Sequence, residues 1–236
     1  MINPEWCHIR YRILESCGVC GRDVDVRLEA GESHASDALE LRFVWEDDVV
    51  QVVATAHADV RVQLCHLGFG RMFGSHERIL LNGYQSWTDT VEHNVDDVMR
   101  GLERVNPRFV NRYVLSAGGD YAFAEYTRQP GKMHGFTYMT IRDGDRFDLL
   151  GSLCEDDGFT QILVDTALDS VRVLKECDAT MLRAGDRRVL CGLALASGGL
   201  DDVYDRWFEH MGVDALPAKP LVGYTSWYRH YGNIDE

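Results

Sequence analysis

In Asp23-Val24-Asp25-Val26-Arg27-Leu28-Glu29, apolar and charged residues alternate without interruption. Successive side chains of a β-strand point to opposite faces, so Val24, Val26 and Leu28 share one face and the charged residues share the other. This pattern predicts a strand with one buried and one solvated face.

The same period of two recurs in short runs as far as Leu195. Shared apolar faces are formed by Leu39, Leu41 and Phe43, by Val60, Val62 and Leu64, and by Met139 and Ile141. Sequences that favour tight turns separate the runs, namely Ala30-Gly31-Glu32, Asp143-Gly144-Asp145, Asp156-Asp157-Gly158 and Ala184-Gly185-Asp186. Many short strands joined by such turns predict an all-β protein, built as an antiparallel sandwich or barrel.

Two segments break the alternation and have helical spacing instead. In Asn94 to Val105 the apolar residues recur every three or four positions, with Asn94 as a plausible N-cap. In Leu200 to Met211 a second apolar stripe follows two acidic residues and is closed by Gly212. We therefore predict two short helices.

A proline-containing segment follows the second helix. Val213 to Pro220 includes Pro217 and Pro220, which remove amide donors and favour extended backbone before them, so the segment is typical of an interdomain linker. The last sixteen residues, Leu221 to Glu236, open with a strand-like run and are too few to form a domain.

The net charge excludes one large class of partners. The chain of 236 residues carries 24 Lys and Arg against 38 Asp and Glu, a formal charge of −14. A surface of this sign repels nucleic acid and anionic lipid, whereas a neutral sugar experiences no net force. With no run of eighteen apolar residues and no basic and apolar leader at Met1, we predict a cytoplasmic protein without a membrane partner.

The cysteines do not indicate a cofactor. There are seven at irregular spacing, which predicts free thiols, and Cys17-Gly18-Val19-Cys20 has only half of the ligands of a structural zinc site. We predict no metal and no other cofactor.

Two stretches combine aromatic rings with amide, hydroxyl and carboxylate groups. They are Asn82-Gly83-Tyr84-Gln85-Ser86-Trp87-Thr88-Asp89-Thr90 and the segment from Gly223 to Glu236. Sugar binding uses this mixture, because rings pack against C–H groups while short polar side chains bind hydroxyls. The alternative is that Trp87 and Trp227 are ordinary core residues.

Gly223 to Glu236 closely resembles the segment that opens the catalytic barrel of family 36 glycoside hydrolases, the α-galactosidase or melibiase group. Asn82 to Asp89 resembles a loop in the amino-terminal domain of a bacterial subgroup of that family. The resemblance implies an antiparallel β-supersandwich over residues 1–199, a connecting helix and linker over 200–220, and the first strand and loop of a truncated (β/α)8 barrel over 221–236.

The same resemblance implies which residues are catalytic and which bind the substrate. Both carboxylates of the retaining mechanism belong to later barrel strands, so this chain holds no catalytic residue and is inactive alone. The implied substrate is a terminal α-galactoside, bound with the help of Tyr84, Gln85, Trp87, Asp89, Trp227 and Tyr228. We expect a homo-oligomer, because a sandwich without its barrel exposes apolar surface. The alternative is a stand-alone lectin-like or protein-assembly module.

Overall fold

The computed structural model describes residues 1–15, 21–85, 88–156, 158–177 and 180–213. In chain order its strands are β1 (Asn3–Leu14), β2 (Gly21–Glu29), β3 (Ser33–Ala35), β4 (Leu39–Glu46), β5 (Val49–Ala56), β6 (Val60–Gly70), β7 (Arg78–Leu81), β8 (Val91–Asn94), β9 (Lys132–Phe136), β10 (Tyr138–Asp143), β11 (Arg146–Ser152), β12 (Thr160–Asp165), β13 (Ser170–Lys175), β14 (Met181–Leu182) and β15 (Arg187–Gly198). The two α-helices are α1 (Pro107–Tyr113) and α2 (Leu200–Met211).

The strands form two antiparallel sheets. One has the order β2-β1-β6-β13-β12-β9, with β14 paired to β6, and the other has the order β3-β4-β5-β15-β11-β10-β7-β8. A single apolar core contains side chains from both sheets, among them Ile9, Tyr11, Phe43, Phe69 and Ile141. The predicted all-β antiparallel sandwich with few short helices is confirmed.

The predicted inner faces agree with the structure except at two positions. Val26, Leu28, Leu41 and Phe43 are buried as the alternation requires, whereas Val24 is half-buried and packs against the edge of the core. In β6, however, Val60 and Val62 are buried while Leu64 is only half-buried. The reason is a β-bulge in β6. Arg10 pairs with Leu64 and Tyr11 pairs with Val62, so the residue between Val62 and Leu64 has no partner on β1. The side chains that follow therefore change faces of the sheet. Beyond the bulge, Cys65 and Leu67 face the core.

The helix predicted over Asn94 to Val105 is wrong apart from a single 3₁₀ turn at Gly101–Arg104. Asn94 ends β8, and its amide donates to Asp97 Oδ2 at 2.8 Å, which forms a turn rather than a helix cap. Val95 and Met99 pack against the core from an irregular connection, so their spacing reflects tertiary contacts. The helix begins later: Asn106 Oδ1 accepts from the amide of Arg108 and caps α1.

The helix predicted over Leu200 to Met211 is confirmed as α2. Gly212 closes it with a φ of 67°, the left-handed conformation that glycine adopts without strain. α2 packs on the outer face of the larger sheet, where Val203 and Trp207 cover Leu149, Ala194 and Ala196. The central strands β11 and β15 are therefore buried on both faces.

Asp148 gives the fold a specific pH dependence. Burial raises its pKa, but hydrogen bonds from the Met1 amino group and from Ser197 and the charge of Arg71 outweigh burial, so the pKa lies below its ordinary value of 3.8. A carboxyl whose pKa is depressed on folding stabilises the protein above the unfolded-state pKa, and this contribution is lost as pH falls through the folded-state pKa.

We therefore predict that Asp148→Asn lowers the free energy of unfolding at pH 7 and that the deficit shrinks at pH 3. Urea unfolding of wild type and variant at both pH values measures this. Asp145→Asn, which changes an exposed turn carboxylate, is the control and should show little difference at either pH. A deficit equal at pH 7 and pH 3 would contradict the assignment.

Several predictions concern residues outside the described ranges. These are the linker from Asp214 to Pro220, the barrel segment from Leu221 to Glu236, and the Cys17 and Cys20 pair. The proposed division into a sandwich domain, a connection and a barrel segment therefore remains a prediction. Neither helix of the described part has the length and hydrophobicity needed to cross a bilayer.

Candidate functional site

A cavity of about 590 Å³ lies beside the loop from Asn82 to Thr90. Three parts of the chain form its walls: this loop, the irregular segment between β8 and α1, and the residues around Asp120 with strand β9. Its size falls within the range of about 300–1,000 Å³ that is typical of small-molecule sites. Two other cavities in the described ranges are smaller, with volumes of about 270 and 70 Å³.

The loop is held in shape by short hydrogen bonds. The side-chain amide of Asn82 donates to the carbonyl of Phe136 at 3.1 Å, and the amide of Gly83 donates to Thr90 Oγ1 at 2.9 Å. Gly83 is required because a Cβ there would lie 2.5 Å from the carbonyl oxygen of Thr88. The loop therefore closes tightly against β9.

Asp120, Tyr126 and His134, which we call the Asp120 cluster, form one wall of the cavity. Asp120 Oδ2 lies 2.7 Å from His134 Nε2 and accepts a hydrogen bond of 3.0 Å from the Tyr126 hydroxyl. The side chains of Asp120 and His134 are only 2% and 5% exposed. The second oxygen, Oδ1, is buried and has no hydrogen-bond partner among the described residues.

Local backbone geometry positions this cluster. Asp120 lies in the 3₁₀ turn Gly119–Ala122, which Gly119 enters with a φ of 60°, and its carbonyl accepts from the amides of Phe123 and Ala124. His134 projects from β9, and its ring lies edge-on to that of Tyr126, with centroids 4.6 Å apart. A turn and a strand 14 residues apart thus meet at one carboxylate.

Burial sets the protonation states around the cluster. Burial, together with the charge of Asp120, raises the pKa of both Tyr121 and Tyr126, so each phenol keeps its proton. Burial lowers the pKa of His93 despite the opposing charges of Asp97 and Asp89, so this imidazole is mostly neutral at pH 7. The cavity therefore presents uncharged donors beside the Asp120 carboxyl group.

The rim carries charges of both signs. Its carboxylates are Asp89, Glu92, Asp96 and Asp97, and its guanidinium groups are Arg100 and Arg104. Glu92 is already paired, because Arg142 donates to its two oxygens at 2.9 and 2.7 Å. Asp97 accepts from the backbone and side chain of Asn94. The rim thus offers both donors and acceptors to a ligand.

The predicted binding residues occupy different places. Asp89 lines the cavity, whereas Tyr84 packs edge-on against Phe123, Phe136 and Phe159 with centroids 5.0, 5.1 and 5.6 Å apart. Gln85 forms a turn in which its carbonyl accepts from the amide of Thr88 at 3.0 Å, and it is not part of the cavity wall. Trp87, Trp227 and Tyr228 lie outside the described residues.

Sequence reasoning missed the Asp120 cluster. Its members have no characteristic spacing, and the contact between them exists only in the folded chain. One signal was available: His134 interrupts the otherwise apolar and small residues Met133-His134-Gly135-Phe136, and a buried histidine needs a polar partner. That signal gives no indication that the partner is Asp120.

Comparisons with known proteins found no matching family model and no matching curated protein. Across the described part of the chain, no group of three or more His, Cys, Asp or Glu side chains is arranged to hold a metal ion. The site is therefore interpreted from its own geometry and from the sequence motifs.

Proposed function

We propose that this chain is the amino-terminal β-sandwich domain of a glycosidase that removes terminal α-galactosyl residues, and that its loop from Asn82 to Thr90 shapes the edge of the sugar pocket. One observation carries the proposal: the loop that resembles the family motif borders a polar cavity large enough for a sugar, with Asp89 in its wall. The resemblance of Gly223 to Glu236 to a barrel opening supports the same assignment.

In this proposal the catalytic carboxylates come from barrel strands that follow in the parent enzyme. A retaining glycosidase needs two carboxylates about 5–5.5 Å apart, one as nucleophile and one as acid/base. Trp227 and Tyr228 would lie in the first loop of the barrel, at the carboxyl end of its first strand, where active sites of such barrels are built. The sandwich domain contributes binding and packing rather than chemistry.

A stand-alone lectin-like module is the second candidate. A module of this kind would bind sugar in the cavity lined by residues between Asn82 and Phe136. The encoding gene distinguishes the two candidates, because a barrel adds roughly 200 residues after Glu236. A gene that continues for that length favours the glycosidase.

The decisive experiment measures turnover of p-nitrophenyl α-galactoside by the product of the complete natural gene. We expect hydrolysis by that product and none by residues 1–236. Asp89→Ala and Trp87→Ala should each lower kcat/KM about tenfold or more, the effect of losing a charged hydrogen bond or a stacking surface worth about 1–3 kcal/mol.

Asp145→Ala is the matched control, because it removes an exposed turn carboxylate that does not line the cavity. Its kcat/KM should equal that of the unmodified enzyme. An inactive gene product, or normal kinetics in both loop variants, would refute the proposal.

A further inference from the structure

We propose that the Asp120 cluster is a saccharide-binding site complete within this domain, in which the carboxylate of Asp120 accepts a hydrogen bond from a hydroxyl of a neutral sugar. The proposal goes beyond a role at the edge of a catalytic pocket, because it requires no barrel and no catalytic carboxylate.

Oδ1 of Asp120 is buried and lacks a hydrogen-bond donor in the part of the chain that the structure describes. A buried carboxylate oxygen without a donor is destabilising, and native structures almost always pair such groups with protein, water or a bound ligand. Oδ2 of the same carboxylate has two partners, His134 and Tyr126, which fix the orientation of the group. Oδ1 has none among the described residues, although Asp120 belongs to the cavity wall. A ligand that donates a hydrogen bond would satisfy it.

The charges of the cavity determine what kind of donor fits. Five carboxylates, those of Asp89, Glu92, Asp96, Asp97 and Asp120, line the cavity with two guanidinium groups, so an anionic ligand is repelled. Glu92 is already paired with Arg142, and Arg100 and Arg104 reduce the attraction for a cation. A neutral ligand avoids the repulsion.

The mixture of hydrogen-bond donors and acceptors in the cavity narrows the chemical class of the ligand further. A sugar hydroxyl both donates and accepts, so it can bond to Asp120 while a neighbouring hydroxyl accepts from an arginine or from the side-chain amide of Asn82. Tyr121, Tyr126 and Phe136 also line the cavity, so the C–H groups of a pyranose would contact aromatic residues there. Carboxylate, guanidinium and aromatic groups around one cavity are the groups expected for a neutral saccharide.

The test is calorimetric titration of the 236-residue chain with methyl α-galactoside, methyl α-glucoside and methyl α-mannoside, with spermidine and galacturonate as charged probes. We expect at least one neutral glycoside to bind with a Kd of a few millimolar or tighter and neither charged probe to bind. Asp120→Asn should weaken that binding at least tenfold, because the amide replaces the charged acceptor.

Two further variants keep the test decisive. Val98→Trp fills the cavity from its wall without touching the Asp120 cluster, so it should abolish binding even if Asp120→Asn fails to fold. Asp148→Asn removes a carboxylate that is also buried but lies outside the cavity, and it should bind the sugar like wild type. Circular dichroism of each variant verifies the fold.

The proposal is overturned if no neutral glycoside binds at 20 mM, about five times the weakest Kd expected of a working site, or if spermidine binds in its place. Unchanged binding in Val98→Trp would also overturn it. These results are independent of the glycosidase proposal, because sugar binding is measured without turnover on residues 1–236, whereas hydrolysis is measured on the complete gene product.

Discussion

Replacing Trp207 with alanine is expected to lower the free energy of unfolding by about 3–5 kcal/mol, the range for truncating a large buried aromatic residue. The indole is 5% exposed, lies over Gly151, and donates from Nε1 to the carbonyl of Ser152 at 2.8 Å. Removing it leaves a cavity between α2 and the sheet and an unpaired buried carbonyl. Urea unfolding followed by circular dichroism measures the loss.

Phe208→Ala is the matched control for this prediction. The Phe208 ring stacks on Trp207 with centroids 5.4 Å apart, yet the residue is 41% exposed. Its truncation removes little buried area and should cost less than about 1 kcal/mol. If the two variants lose equal stability, α2 does not anchor to the sheet through Trp207.

Replacing Lys175 with methionine is expected to lower the free energy of unfolding by about 2–4 kcal/mol, because it leaves buried carbonyl groups without a donor. The Lys175 side chain is 4% exposed, and Nζ donates to the carbonyls of Cys154 and Gly158 and to Thr160 Oγ1. Methionine retains most of the length of the side chain. The loss in free energy of unfolding therefore measures the hydrogen bonds of the ammonium group rather than side-chain packing.

Lys132→Met serves as its control, since Lys132 is 41% exposed and its amine lies 3.6 Å from Asp165. An exposed ion pair contributes about 0–1 kcal/mol, so this variant should be nearly as stable as wild type. Thermal unfolding of both variants under identical conditions makes the comparison. Similar midpoints for Lys175→Met and wild type would show that water replaces the ammonium group.

The Lys175 interaction also affects the candidate site. The carbonyls that it holds belong to the connection between β11 and β12, which carries Phe159 against Tyr84. Tyr84 in turn belongs to the loop beside the cavity. We infer that loosening this connection weakens the support of the loop, so sugar-binding measurements on Lys175→Met should follow a check of its fold.

Features that depend on neighbouring residues follow directly from the sequence. Alternation places Val26, Leu28, Leu41 and Phe43 on buried strand faces because the period of a strand is two. The apolar stripe from Leu200 to Met211 forms a helix because its spacing matches the period of a helix. Gly212 ends this helix because glycine adopts the left-handed conformation of a C-cap without strain. The loop around Asp89 also stood out by composition.

The remaining features arise between residues distant in the chain, so they could not be predicted from local sequence. The bulge that turns Leu64 away from the core depends on pairing with β1, and Val95 and Met99 owe their helix-like spacing to contacts with the core. The Asp120 cluster joins a glycine-rich turn to a strand, and the unpartnered oxygen exists only after that contact forms. Local periodicity does not indicate which distant residues pair. The entropic cost of closing a loop changes only slowly with its length, so many alternative pairings have similar costs.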